Sequence, residues 1–179
     1  MTKLNTPLEQ ADILKLKCGD QVVLNGTIFT ARDKAHQSLV EMLKRGEDLP
    51  FAIKGEVIFY AGPTPAHHHL PLGVVGPTTS ARMDRFTIPL LENGLKGMIG
   101  KGPREEAIRN AIKKHKAVYF AAIGGVAAVL TQSITSASLV AFEDLGTEAI
   151  FRVAVKDFPC IVAIDSHGND IYEQADQAR

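Results

Sequence analysis

Two short stretches of the chain gather residue types that hold anions. In Gly76-Pro77-Thr78-Thr79-Ser80-Ala81-Arg82-Met83-Asp84 three consecutive hydroxyls follow Gly-Pro and precede an arginine, and in Gly97-Met98-Ile99-Gly100-Lys101-Gly102 a lysine stands between two glycines. Hydroxyls donate and accept at short range, the planar fork of Arg82 matches a carboxylate or phosphate, and Lys101 adds a point charge. With exposed backbone amides beside them, the two segments read as parts of a site for a small dicarboxylate or a phosphate. The simpler readings are a polar loop at Thr78 and a solvated turn residue at Lys101. A third cation, Arg32, precedes Asp33 and His36. That trio is either a capped helix start with a surface ion pair, or an arginine reaching past the helix to a carboxylate with His36 one turn on along the same face. Threonine is a poor base, so a proton-transfer role for Thr78 requires neighbouring charge that lowers its pKa.

Histidine and cysteine offer less. Three successive imidazoles, His67-His68-His69, cannot converge on one ion without strain, and no carboxylate or cysteine at ligand spacing supports them, so they read as a surface loop. His115 and His167 read as local caps. Cys18 falls in a polar lead-in and Cys160 in the apolar run Cys160-Ile161-Val162-Ala163-Ile164. Neither has a CxxC partner, so no metal ligands are assigned, and this chain alone cannot supply an iron–sulfur or Cys-rich zinc site. Twenty basic residues balance twenty acidic ones, and aromatic residues are scarce, which argues against a nucleic-acid partner. The amino terminus lacks the order of a signal peptide, and no apolar run approaches the roughly 20 residues that span a bilayer, so a cytoplasmic protein is expected. At 179 residues the chain fits a single domain, 1–179, with a polar tail from about Glu173.

The elements that must position these residues follow from periodicity. Asp20 to Thr30 predicts a strand, or a hairpin interrupted at Asn25-Gly26. A helix follows with Asp33 as N-cap, apolar residues Ala35, Leu39, Met42 and Leu43, and a stop at Lys44-Arg45-Gly46. Glu56 to Tyr60 reads as a strand, Ile88 to Asn93 as a short helix, and Leu95 to Ile99 as a strand delivering Lys101 at its carboxyl end. A helix from about Pro103 to Lys114 starts with acidic residues and ends with basic ones, and its dipole adds to the charge of Lys101. Ala117 to Ala121, Ile123-Gly124-Gly125 and Val126 to Thr131 form a strand-turn-helix unit whose helix start can face a ligand. Strands at Ser138 to Phe142, Ile150 to Val155 and Cys160 to Ile164 complete a mixed α/β domain of layered sheets with a helical face.

Taken in order, several motifs resemble the β subunit, or carboxyl-terminal domain, of the class I iron–sulfur fumarate hydratases, a family that includes L(+)-tartrate dehydratases. The resemblance runs through Leu24-Asn25-Gly26-Thr27, Thr30-Ala31-Arg32-Asp33-Lys34-Ala35-His36, Ala61-Gly62-Pro63-Thr64-Pro65-Ala66, the Gly76–Asp84 and Gly97–Gly102 segments, Tyr119-Phe120-Ala121-Ala122-Ile123-Gly124-Gly125, Glu143-Asp144-Leu145-Gly146, and Asp157-Phe158-Pro159 to Asp165. The His67-His68-His69-Leu70 stretch departs from the family pattern.

What the resemblance implies is a swivelling β/β/α domain, with a largely parallel central sheet, a second antiparallel sheet and helices on one face. It implies a separate α subunit that carries three cysteines and a four-iron four-sulfur cluster, one iron of which polarises the leaving hydroxyl. The implied reaction is reversible hydration of fumarate to (S)-malate in a hetero-oligomer of αβ pairs. Arg32 then matches the arginine that binds substrate carboxylate, Thr78 the threonine of proton transfer, and Arg82 and Lys101 the remaining cationic ligands. The rival expectations are tartrate dehydration on the same scaffold and a non-catalytic anion-binding or assembly module.

Overall fold

The computed structural model describes residues 1–64, 72–73, 75–122 and 127–177. In chain order the elements are β1 (Thr2–Asn5), α1 (Gln10–Ile13), β2 (Gln21–Thr30), α2 (Asp33–Lys44), β3 (Val57–Phe59) and a 3-10 turn (Ser80–Met83) that runs into α3 (Asp84–Glu92). Next come β4 (Gly97–Gly100), α4 (Glu106–His115), β5 (Val118–Ala122), α5 (Ala127–Gln132), β6 (Ile134–Ala141), a 3-10 segment (Glu143–Glu148), β7 (Ile150–Ile164) and α6 (Ile171–Gln177).

Parallel pairings join β1, β2, β3, β4 and β5 in that order, and β7 runs antiparallel to β2, β5 and β6. Because β7 bridges β2 and β5, strands β2, β3, β4, β5 and β7 close on themselves. The parallel and antiparallel parts implied by the resemblance are both present, and they share strands. Side chains alternate across each strand, so both faces of the closed sheet must be apolar to be buried. Val57, Phe59, Ile99, Val118, Phe120, Phe158 and Val162 form an inner cluster, joined by Ile13 of α1 and Leu130 of α5. Their alternates Ile58, Met98 and Tyr119 pack outward against Leu39 of α2, Leu90 of α3 and Ile112 of α4.

Several expectations shift. Asn25-Gly26 is not a hairpin turn. Gly26, at φ +113°, marks a register shift inside one continuous strand, β2. Opposite it, Lys156 and Asp157 form the matching irregularity in β7, where the Asp157 amide donates to Asn25 Oδ1 at 2.9 Å. The two strands expected at 150–155 and 160–164 are therefore a single strand that bends at a bulge. Helix α3 starts at Asp84 and tolerates Pro89 inside it, whereas α4 starts only at Glu106. The stretch expected as a polar tail is helical through Gln177. Among the described residues, no helix is long and apolar enough to cross a membrane.

One full charge is buried between the sheet and the helices. The Arg104 side chain is 0% exposed and donates from Nε to Asp84 Oδ1 at 2.5 Å and from Nη2 to Thr87 Oγ1 at 2.8 Å. Its guanidinium carbon lies 5.0 Å from the Tyr119 ring centroid and 5.3 Å from that of Tyr60. Asp84 Oδ2 accepts the Glu105 amide at 2.9 Å, so one carboxylate ties the start of α3 to the start of α4. Removing one partner of a buried ion pair strands the other charge in a poorly solvating interior. Asp84→Ala is expected to cost about 3–5 kcal/mol, read as a lower urea midpoint at unchanged slope.

Candidate functional site at the carboxyl ends of the parallel strands

Parallel sheets present ligand-facing residues just past the carboxyl ends of their strands. Here β2 ends at Thr30 and leads into Arg32, β3 leads into Tyr60-Ala61-Gly62, and β4 leads into Lys101. The Thr78 segment threads between the last two ends. The Thr78 amide donates to Tyr60 O at 2.7 Å, Thr79 pairs in parallel with Lys101, and the Ser80 amide donates to Lys101 O at 3.0 Å. Arg32, Thr78, Arg82 and Lys101 thus belong to one rim, although they come from three separate parts of the sequence.

The two arginines converge on one carboxylate. Arg82 grips Asp33 with both arms of its fork, Nε to Oδ1 at 2.9 Å and Nη2 to Oδ2 at 2.5 Å. Arg32 Nε lies 3.9 Å from Asp33 Oδ2 and 3.7 Å from Glu148 Oε1. Neither distance is a hydrogen bond, and this buried Nε has no hydrogen-bond partner among the described residues. Gly62 lets the Arg32 side chain lie close, since a Cβ there would come within 2.8 Å of Arg32 Cδ and 2.9 Å of Thr147 O. Burial opposes ionisation of Asp33, but the hydrogen bond from Arg82 and the charges of both arginines outweigh it and hold the carboxyl below its ordinary range. Arg82 stays 48% exposed and Asp33 24%, so their pair stabilises the fold by about 1 kcal/mol at most. Its effect is on where the guanidinium points.

Asp33 was expected to cap α2. The cap is Arg32, in extended backbone with no side-chain bond, and Asp33 is the first helical residue with its carboxylate turned toward Arg82. His36 does not line the rim either. It is wholly buried, with Nδ1 2.9 Å from Arg32 O and its ring edge-on to Tyr60, so it props the backbone of Arg32 from below. Burial first, then the nearby Arg104 charge, lower its pKa to about 4 against the opposing pull of the Arg32 carbonyl and Asp33.

Several of the rim's backbone amides are engaged within the protein rather than exposed. Those of Lys101 and Gly102 donate to Ser80 Oγ and Tyr172 Oη, and that of Glu105 to Asp84. The Glu105 amide at the start of α4 therefore serves Asp84. A hollow of about 510 Å³ opens beside Arg82 and Asp33, but Asp84 and Glu105 also line it while Arg32, Thr78 and Lys101 do not. His67-His68-His69 and Gly124-Gly125 lie outside the described residues, whereas the His167 turn is organised by Asp165, which accepts the His167 and Asn169 amides.

A family model described as the fumarase C-terminus matches residues 1–175. The chain belongs to that family. It is 41% identical over 175 residues to an aerobic class I fumarate hydratase of Escherichia coli K12, covering 96% of this chain and 32% of that protein. It is 40% identical over 158 residues to fumarate hydratase 2 of Leishmania major, covering 87% of this chain and 28% of that protein. The chain thus spans about a third of these fumarate hydratases. By contrast it covers 90% of a protein of Methanocaldococcus jannaschii, 40% identical over 176 residues, named provisionally as the β subunit of an L(+)-tartrate dehydratase.

The cluster implied by that kinship does not fit the residues of this fumarase C-terminal chain. Iron–sulfur ligands are thiolates. Burial, helped by the charges of Asp165, Asp170 and Asp20, pushes the Cys18 thiol up to about 11, and burial pushes Cys160 higher still inside β7. Among the described residues no three His, Cys, Asp or Glu side chains gather as a metal site.

Sequence reasoning offered Asp33 only as a cap or in a surface ion pair with Arg32, and missed it as the partner of Arg82, along with Glu148 and the buried pair Asp84 and Arg104. Only the acidic residue following Arg32 carried a local signal. Asp33→Asn is expected to change stability by less than about 1 kcal/mol while freeing Arg82, seen as faster exchange of its Nε proton in NMR spectra. His36 gives a pH test. It titrates near 6.5 when unfolded and about 4 when folded, so the unfolded chain binds the proton first. Stability is full above pH 6.5 and falls toward pH 4 by up to about 1.4 kcal/mol per pH unit. Thermal midpoints across that range should show the slope, and His36→Phe should flatten it.

Proposed function

We propose that this chain is the β subunit of a two-subunit hydro-lyase that hydrates fumarate reversibly to (S)-malate. The observation that carries the reading is the convergence of Arg32 and Arg82 at one carboxylate, on the rim that also bears Thr78 and Lys101. Identity to fumarate hydratases supports the substrate class. Near-complete coverage of a stand-alone β subunit supports a division of the enzyme between two chains, with an α subunit holding the four-iron four-sulfur cluster. That relative also keeps L(+)-tartrate dehydration as a second reading. Two unpaired cysteines fit a reducing, cytoplasmic setting.

In this reading Arg32 and Arg82 hold the carboxylates of the diacid. The Asp33 carboxylate already occupies the Arg82 fork, so it aligns the guanidinium in the absence of substrate and leaves its outer edge to bind. Taking a proton from the carbon next to a carboxylate spreads negative charge onto that carboxylate, and fixed cations stabilise such charge better than the ground state. Lys101 supplies the third cation. Thr78 takes part in moving the proton at carbon, its hydroxyl made more acidic by the cations around it. A second subunit packs over the rim and excludes water.

The test is anaerobic kinetics on this chain alone and with its cluster-bearing partner. The lone chain is expected to be silent and the complex active, with fumarate and malate preferred over L(+)-tartrate in side-by-side assays. Arg82→Met or Lys101→Met in the complex should lower kcat/KM by about a hundredfold or more. Turnover by the lone chain overturns the shared site. Losses below about tenfold in both variants favour a non-catalytic assembly module.

A further inference from the structure

Lys101 carries its charge into solvent, yet its backbone is among the most tightly held on the rim. The Lys101 amide donates to Ser80 Oγ at 3.0 Å, and Lys101 O accepts the Ser80 amide at 3.0 Å. The Gly102 amide donates to Tyr172 Oη at 3.1 Å, and Gly102 O lies 2.9 Å from Tyr119 Oη. Tyr119 Oη is also 2.8 Å from Ser80 Oγ. All four backbone polar groups of the two residues are thereby engaged, three of them by Ser80 and Tyr119.

The protons assign themselves along this path. Gly102 O can only accept, so Tyr119 donates its single hydroxyl proton there. Ser80, which accepts from Lys101, then donates its own proton to Tyr119. The chain runs Lys101 N–H to Ser80 to Tyr119 to Gly102 O, beginning and ending on adjacent residues, with no hydroxyl proton unmatched. Chains of this kind strengthen link by link in a poorly polar setting, and both Ser80 and Tyr119 are fully buried. One glycine makes room for it, since a Cβ on Gly100 would clash with Ser80 Oγ, and a second, Gly102, supplies the φ of +84° that the turn requires.

We propose that Ser80 and Tyr119 form a hydroxyl relay that positions Lys101 for the diacid and locks it to the Thr78–Arg82 segment, in which Ser80 lies. The two residues are positioning residues, touching no substrate, and the inference rests on the diacid reading above. A shift of about 1 Å in a binding group is enough to lower a rate by about a hundredfold, so the relay matters through geometry.

The experiment is a mutant cycle in the complex with the partner subunit, joined to amide exchange on the full chain. Tyr119→Phe retains the ring over Arg104 and deletes one hydroxyl, and Ser80→Ala deletes the other. Each is expected to speed exchange of the Lys101 amide at least about tenfold and to lower kcat/KM about 10- to 100-fold. In a Lys101→Met background, Tyr119→Phe should change kcat/KM less than about twofold, because nothing remains for it to position. Equal losses in both backgrounds would mean a general effect on the fold and would overturn the relay. So would unchanged kcat/KM or unchanged Lys101 amide exchange in the single variants. If Lys101→Met alone retains full turnover, Lys101 does not act on the diacid and the catalytic part of this inference fails, while Arg82→Met still tests the diacid reading separately. Exchange at Lys101 then still decides separately whether the relay fixes the loop.

Discussion

A guanidinium without access to water has to be matched on every side, and at Arg104 that requirement ties together most of what stands near the rim. Asp84 supplies the opposite charge, Thr87 a further acceptor, and the faces of Tyr60 and Tyr119 the remaining contacts. Those partners come from α3, the end of β3, and β5. Each is one step from a rim residue: Asp84 directly follows the turn that carries Arg82, Tyr60 O accepts from Thr78, and Tyr119 reaches the Lys101 loop. Helix packing, strand order and the placement of the surface cations are therefore coupled through a single buried ion. A buried ion pair is a weak source of net stability, and its arrangement here bears on which elements meet, more than on how strongly the fold holds.

The charge pattern above it is less positive than the sequence suggests. Arg32 and Arg82 face Asp33 and Glu148, two acids for two bases, and Lys101 stands outside that group. Such near-compensation keeps the arginines oriented in a fork geometry that a carboxylate ligand shares. It also aligns the Arg82 guanidinium without any ligand, and it leaves the buried Arg32 Nε without a hydrogen-bond partner among the described residues.

Much of this was legible in the chain itself. Compact apolar runs located β3, β4 and β5, and the acidic start and basic end of α4 agree with its dipole. The order of polar motifs identified the family, and the carboxyl-end placement of Lys101 followed from the strand before it. What sequence could not give is any relation set by distant pairing. The bulge linking Asn25 to Asp157 joins residues 132 positions apart, and local turn chemistry at Asn25-Gly26 and Lys156-Asp157 mimics two breaks where there are none. Arg104 resembles an ordinary helix-start residue until α3 covers it. Asp33 carries the composition of a cap, and only the arrival of Arg82 from 49 positions away turns its carboxylate outward. His36 keeps helical spacing with Arg32 yet is drawn into the core, because its ring fits beside Tyr60 and its nitrogen has a carbonyl to bind.

The engagement of the rim's amides by neighbouring hydroxyls and carboxylates has a bearing on how this scaffold diversifies. A nest of main-chain N–H groups grips an anion in a way that single substitutions barely alter. Here the amides of Thr78, Ser80, Lys101, Gly102 and Glu105 are all satisfied within the protein, so at these positions it is the side chains, the parts that mutation exchanges one by one, that stay free to vary. A lineage can change the chemistry of this face while the underlying framework stays unchanged.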